Sequence, residues 1–178
     1  MPYTPDERTV GIVADYCGFL REAAFVFSQL CKGPTVERRE EFETLVGVEA
    51  DSSVTYVALL HAVAYTSDQR WSREAGRLTR SLHATLGALV QAGATMLSST
   101  VPERSPSVLR QCRQIEEATW AVDRSWQERR ELPLTEKLLR SVQLEIIAWD
   151  RSLQSEETTP SAHSAIRMFE PLPTPLLR

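Results

Sequence analysis

Apolar positions along this chain recur every third and fourth residue, the spacing of one face of a helix. The first and densest stretch carries two such rows. Val10, Val13, Cys17, Leu20, Ala24, Phe27 and Cys31 form one, and Ile12, Tyr16, Phe19, Ala23, Val26 and Leu30 run beside it. Two adjacent rows exceed the usual apolar face of about 100° on a surface helix, so this segment is predicted to be a central helix with others around it. Pro5 and Asp6 suit its start and Gly33-Pro34 its stop. The spare apolar surface also allows one row to face a neighbouring subunit.

The remaining rows predict an all-α bundle of about six helices. Thr35 caps a helix to Val46, with Phe42, Leu45 and Val46 inward and Glu37, Arg38, Arg39, Glu40 and Glu41 outward, and Gly47 ends it. Asp51-Ser52-Ser53 supplies caps for a further helix, Val54 to Thr66, which is apolar nearly all round and therefore reads as buried. A long helix follows from Ser67-Asp68 to about Leu97, with Leu78, Leu82, Leu86, Leu89 and Met96 on one face and Ala84, Ala88 and Ala92 beside them. Ser107 caps the next, whose row is Val108, Cys112, Ile115, Thr119, Val122 and Trp126, and Leu132-Pro133 breaks it. Thr135 caps the last, with Leu138, Val142, Ile146, Trp149 and Leu153 inward.

Pro102 and Pro106 mark residues 98–107 as a linker. The expected organisation is an N-terminal helical subdomain (1–97), that linker, a C-terminal helical hairpin (108–154) and a Pro-rich tail (155–178), in which Phe169, Leu172, Leu176 and Leu177 can dock on a neighbour.

Composition narrows the class. With 178 residues, 42% hydrophobic and 25% charged, the chain suits a globular protein with a real core. Its apolar runs are too short for a membrane span, and Asp6 and Glu7 stand where a secretory signal would carry positive charge. Cys17, Cys31 and Cys112 are odd in number and lie on apolar rows, which reads as buried, reduced thiols in an intracellular, cytoplasmic protein.

Charge is uneven. Residues 1–67 hold ten acids and five bases (net −5), 68–130 seven acids and ten bases (net +3), and 131–178 seven acids and five bases (net −2). An anionic partner would meet the middle of the chain.

Enzyme motifs are missing: no Walker loop, no Gly-rich dinucleotide fingerprint, no nucleophile elbow and no zincin pair. None of His61, His83 and His163 has Glu three residues before it, as a carboxylate-bridged metal site in a bundle would want. His61 reads as a core histidine, and a Cys112–histidine dyad has no support in the spacing. No catalytic residue, metal or cofactor is expected.

One pattern carries functional content. Arg70, Arg73, Arg77 and Arg80 recur at 3-4-3 and line a single helix face for almost three turns, with Trp71 beside them to stack on a base or anchor the core. Arg110 and Arg113, with Arg124, share a face of the following helix. Eighteen of the twenty basic residues are arginine, whose planar fork of donors suits phosphate. Three readings stay open: a solvated or salt-bridged face, phosphate binding, or an acidic protein partner.

The segment Gln29-Leu30-Cys31-Lys32-Gly33-Pro34-Thr35, followed by Glu40-Glu41-Phe42, resembles the roughly twenty-kilodalton RNA-silencing suppressors of closteroviruses, as do chain size and helix succession. The resemblance implies a two-subdomain helical protein that assembles into a ring-like oligomer and binds RNA, including small duplexes, without reading sequence. The sequence reading is thus a non-catalytic, RNA-binding homo-oligomer, with Arg70, Arg73, Arg77, Arg80, Arg110 and Arg113 on phosphates. The alternative is a helical adaptor for another protein, such as a viral regulator of host signalling or an effector chaperone.

Overall fold

The two apolar rows of the first segment wind into one helix, α1 (Glu7–Lys32), and both are covered inside the chain's own fold. The computed structural model describes residues 7–34, 36–98 and 106–158. Among them are five helices and no strand: α1, α2 (Arg38–Ala64), α3 (Gln69–Ser98), α4 (Pro106–Glu128) and α5 (Leu132–Thr158). Helix α1 packs against α2, α3 and α4, while α5 closes the bundle by lying on α3 and α4. One core cluster draws residues from all five helices, and a smaller one, Leu30, Met96 and Leu153, seals one end. Tyr16, Cys17, Leu20, Ala23, Phe27 and Leu30 are all fully buried, and Val10, Ile12 and Phe19 are partly buried against the same core.

The expected count of six helices falls to five because α2 does not break. Gly47 lies inside it, and the Ser52 and Ser53 hydroxyls donate back to the Glu49 carbonyl (2.8 and 3.1 Å) instead of capping a new helix. Leu45, Val48, Ser52, Leu59 and Val63 form a continuous inward row across the expected gap. Arg38, expected outward, is buried, and its guanidinium lies close enough to Cys31 to act on that thiol. Thr35, the expected cap, lies outside the described residues, and Glu37 makes no side-chain cap bond.

Helix α3 is capped by Asp68, whose carboxylate accepts from the backbone N–H groups of Arg70 (3.1 Å) and Trp71 (3.0 Å). Ser72 Oγ donates to the Val63 carbonyl (2.9 Å), fixing the α2–α3 corner. Of the small residues on α3, Ala88, Ala92 and Gly93 are buried while Ala84 is exposed. Tyr16, Tyr56 and His83 join α1, α2 and α3: the Tyr16 hydroxyl lies 3.0 Å from His83 Nδ1, and Tyr56 stacks on the imidazole at 4.0 Å.

Helix α4 takes Pro106 in its first turn, where a missing N–H costs nothing, and buries the expected row Val108 to Trp126. It stops before Leu132-Pro133, at Arg129. There the Arg129 N–H bonds the Trp126 carbonyl and the Arg130 N–H bonds the Ser125 carbonyl, the paired bonds of a Schellman stop. Pro133 falls in the first turn of α5. Thr135 is consequently inside that helix, buried against Ser125 Oγ at 3.0 Å. Leu139, not Leu138, faces the core. Helix α5 runs past the expected start of the tail at 155. The tail residues 159–178, Phe169, Leu172, Leu176 and Leu177 among them, and linker residues 99–105 lie outside the described residues.

Candidate nucleic-acid interface

Helical periodicity places Arg70, Arg73, Arg77 and Arg80 on the outward face of α3, and all four are exposed. The rise of about 1.5 Å per residue spreads them over about 15 Å. Arg70 Nε bonds Glu74 Oε1 at 3.2 Å, an exposed pair one turn apart. Arg73, Arg77 and Arg80 form no ion pair among the described residues. Their like charges repel by a few tenths of a kcal/mol per pair, a cost that hydration of an open face absorbs.

Trp71 is not available to a base. It is buried, meets Trp126 edge-on at 5.2 Å, and is covered by Arg129, whose guanidinium carbon lies 4.6 Å above its ring. It anchors the α3 start to the α4 end and so sets the orientation of the arginine face.

Arg110 and Arg113 are exposed on α4. The α3 start meets the α4 end through Trp71 and Trp126. Arg113 borders a shallow depression between α1 and α4 with Arg21, Phe25 and Lys32. Arg21 bridges these helices, pairing with Asp123 at 3.4 Å and stacking over Trp120 at 4.4 Å. Burial raises the Asp123 carboxyl above its ordinary range despite that arginine and a hydrogen bond from Cys17.

A larger groove, about 540 Å³, runs between the first turns of α1 and the last of α2. Ile12, Val54, Val57, Ala58 and Tyr65 wall it, with Trp71 and Arg129 also lining it. Val54 and Tyr65 are each 78% exposed and Val57 60%, so the segment expected to be buried all round is open on one side. His61, expected in the core, is on that open side and packs against Tyr65 at 4.8 Å.

The thiols are the other reactive groups. Burial pushes Cys31 and Cys112 up to about 12 and Cys17 well above its ordinary value, which keeps all three protonated near neutrality. No cluster of three metal-ligating side chains occurs among the described residues, and no helix there is long and apolar enough to cross a membrane. No known protein family, curated protein or solved structure matches this chain.

Proposed function

We propose that this chain is a non-catalytic protein that binds the sugar-phosphate backbone of RNA through the outward face of α3. The observation that carries the reading is the row Arg73, Arg77 and Arg80, exposed and without ion pairs among the described residues, on a rigid and well-anchored helix. Guanidinium groups make charge-assisted, often forked bonds to phosphate. Duplex RNA is gripped mainly through phosphates and 2′-hydroxyls, so a row of arginines needs no base-reading partner. Trp71, being buried, adds no stacking, and this favours a backbone contact indifferent to sequence. Arg70 joins by releasing Glu74, an exposed pair of small worth. Sequestering small RNA duplexes, as the closterovirus suppressors do, is the specific form this activity takes in our reading.

The test is a salt titration with a 21-base-pair RNA duplex and the full chain. Four phosphate contacts should lower log affinity by about 3 to 4 per tenfold rise in salt. Changing Arg73 and Arg77 together to Glu should abolish binding. Absence of binding at low salt, or a double variant that binds like the parent, overturns the reading.

A further inference from the structure

We infer that the seam between α1 and α4 is a stacking platform for unpaired nucleotides, built separately from the arginine face of α3. On α1, Arg21, Phe25, Ser28 and Lys32 follow one another by four, three and four residues. On α4, Leu109, Arg113, Glu116 and Trp120 repeat that spacing, so each set shares one helix face. The Arg21 guanidinium lies 4.4 Å from the Trp120 ring and brings the two faces side by side. All of these residues except Trp120 line the depression between them, about 240 Å³ in volume.

Two aromatic rings stand in solvent along this seam. Phe25 is 63% exposed and Trp120 56%, whereas Trp71 and Trp126 are buried and Trp149 is half-buried. Trp120 is also held in place. Arg21 packs on its indole and is itself fixed by Asp123 at 3.4 Å and by the Thr119 hydroxyl at 3.3 Å. With more than half of the residue in solvent, the indole can take a second planar group on the side away from Arg21.

Cations surround the rings. Lys32 and Arg113 line the depression and Arg110 stands one turn before Arg113; none of the three is in an ion pair among the described residues. Glu116 is the one acid in the lining. A strand of phosphates carrying free bases answers both features, cations for the backbone and rings for the bases. An acidic peptide would use only the cations. A duplex keeps its bases stacked inside and offers the rings nothing, so the ligand is a single strand.

The experiment uses Trp120 as its own probe. The full chain is titrated at low salt with a single-stranded oligouridylate, following tryptophan emission and the anisotropy of a labelled strand. Binding should quench the emission. Trp120→Ala should remove the quench and weaken binding about tenfold with the helical circular dichroism unchanged, and Trp120→Phe should recover most of the affinity. Phe25→Ala serves as the second exposed variant if Trp120→Ala misfolds, and should also weaken binding. The variant with Arg73 and Arg77 both changed to Glu should keep the quench, so this seam and the α3 face are judged apart. Absence of a quench overturns the inference, as does a quench that survives Trp120→Ala. So does strand affinity unchanged in both alanine variants, or polyglutamate that displaces the strand as well as unlabelled oligouridylate does.

Discussion

Arg129 holds its guanidinium over the indole of Trp71 from a backbone position, φ 53°, that ordinarily belongs to glycine. The α4 stop needs a left-handed residue at that point, and the chain places an arginine there. Backbone strain and ring contact therefore act in opposite directions. Arg129→Gly should stay within about 1 kcal/mol of the parent, because relief of strain offsets the lost cation–π contact. Arg129→Ala loses the contact and keeps the strain, so it should be about 1 kcal/mol less stable than the glycine variant. Urea denaturation decides it, and equal stability of the two variants would show that the stop carries no strain.

Gly93 sets how closely α2 crosses α3. A Cβ there would lie 3.0 Å from Leu45 Cδ2 and 3.1 Å from Phe42 Cδ2, inside van der Waals contact. The gain in helix propensity from Gly93→Ala, about 1 kcal/mol, competes with displacement of two packed side chains. Overpacking should win, leaving the variant less stable by about 1 kcal/mol, whereas Gly47→Ala, with open space around it, should stabilise an isolated subunit. Thermal unfolding of the two variants at a concentration below any self-association separates these effects, and a stabilised Gly93→Ala would refute the tight crossing.

The buried thiols predict the behaviour at high pH. Desolvation holds Cys31 and Cys112 protonated to about 12 in the fold, while in the unfolded chain they ionise from about 8.5. A raised folded value means the unfolded state loses its protons first, so stability is complete below about pH 8.5 and falls as pH climbs toward 12. The slope should reach up to about 1.4 kcal/mol per pH unit for each thiol. The double variant Cys31→Ala, Cys112→Ala should start less stable at neutrality yet decline more gently. Urea midpoints measured across the alkaline range test this, and parallel slopes for parent and variant would count against buried thiols as the cause.

How much of this was legible in the sequence depends on how many partners each feature needs. The rows of α1 and α4 could be read directly, since their positions are apolar or small and are buried or, at Val10, Ile12 and Phe19, partly buried against the core. The unbroken α2 was hidden because Ser52 interrupts its apolar row and Asp51-Ser52-Ser53 looks like a cap; a hydroxyl can equally bond its own helix. The Arg70 to Arg80 face was legible because spacing alone defines it. The contact that orients this face was not, because it depends on which helix ends meet, here through Trp71 and Trp126. Burial of Arg38 and the left-handed Arg129 are likewise set by neighbours distant in sequence, with no local signal.

The arginine face depends on the capping of its own helix. Asp68 accepts two backbone N–H groups at the first turn of α3, one of them from Arg70 itself, and its negative charge opposes the positive end of the helix dipole. Asp68→Ala leaves both donors to water and should cost about 1 kcal/mol. The first turn would then fray toward Trp71, whose burial against Trp126 limits the loss to that turn. Asp68→Asn keeps an oxygen acceptor in place and should recover most of the stability, with the remainder reporting the charge–dipole part. RNA affinity should fall only slightly in Asp68→Ala, because Arg77 and Arg80 lie beyond the frayed turn. A variant that keeps full stability, or an Asn that restores nothing, would mean the start of α3 is held by Ser72 and the Val63 carbonyl instead.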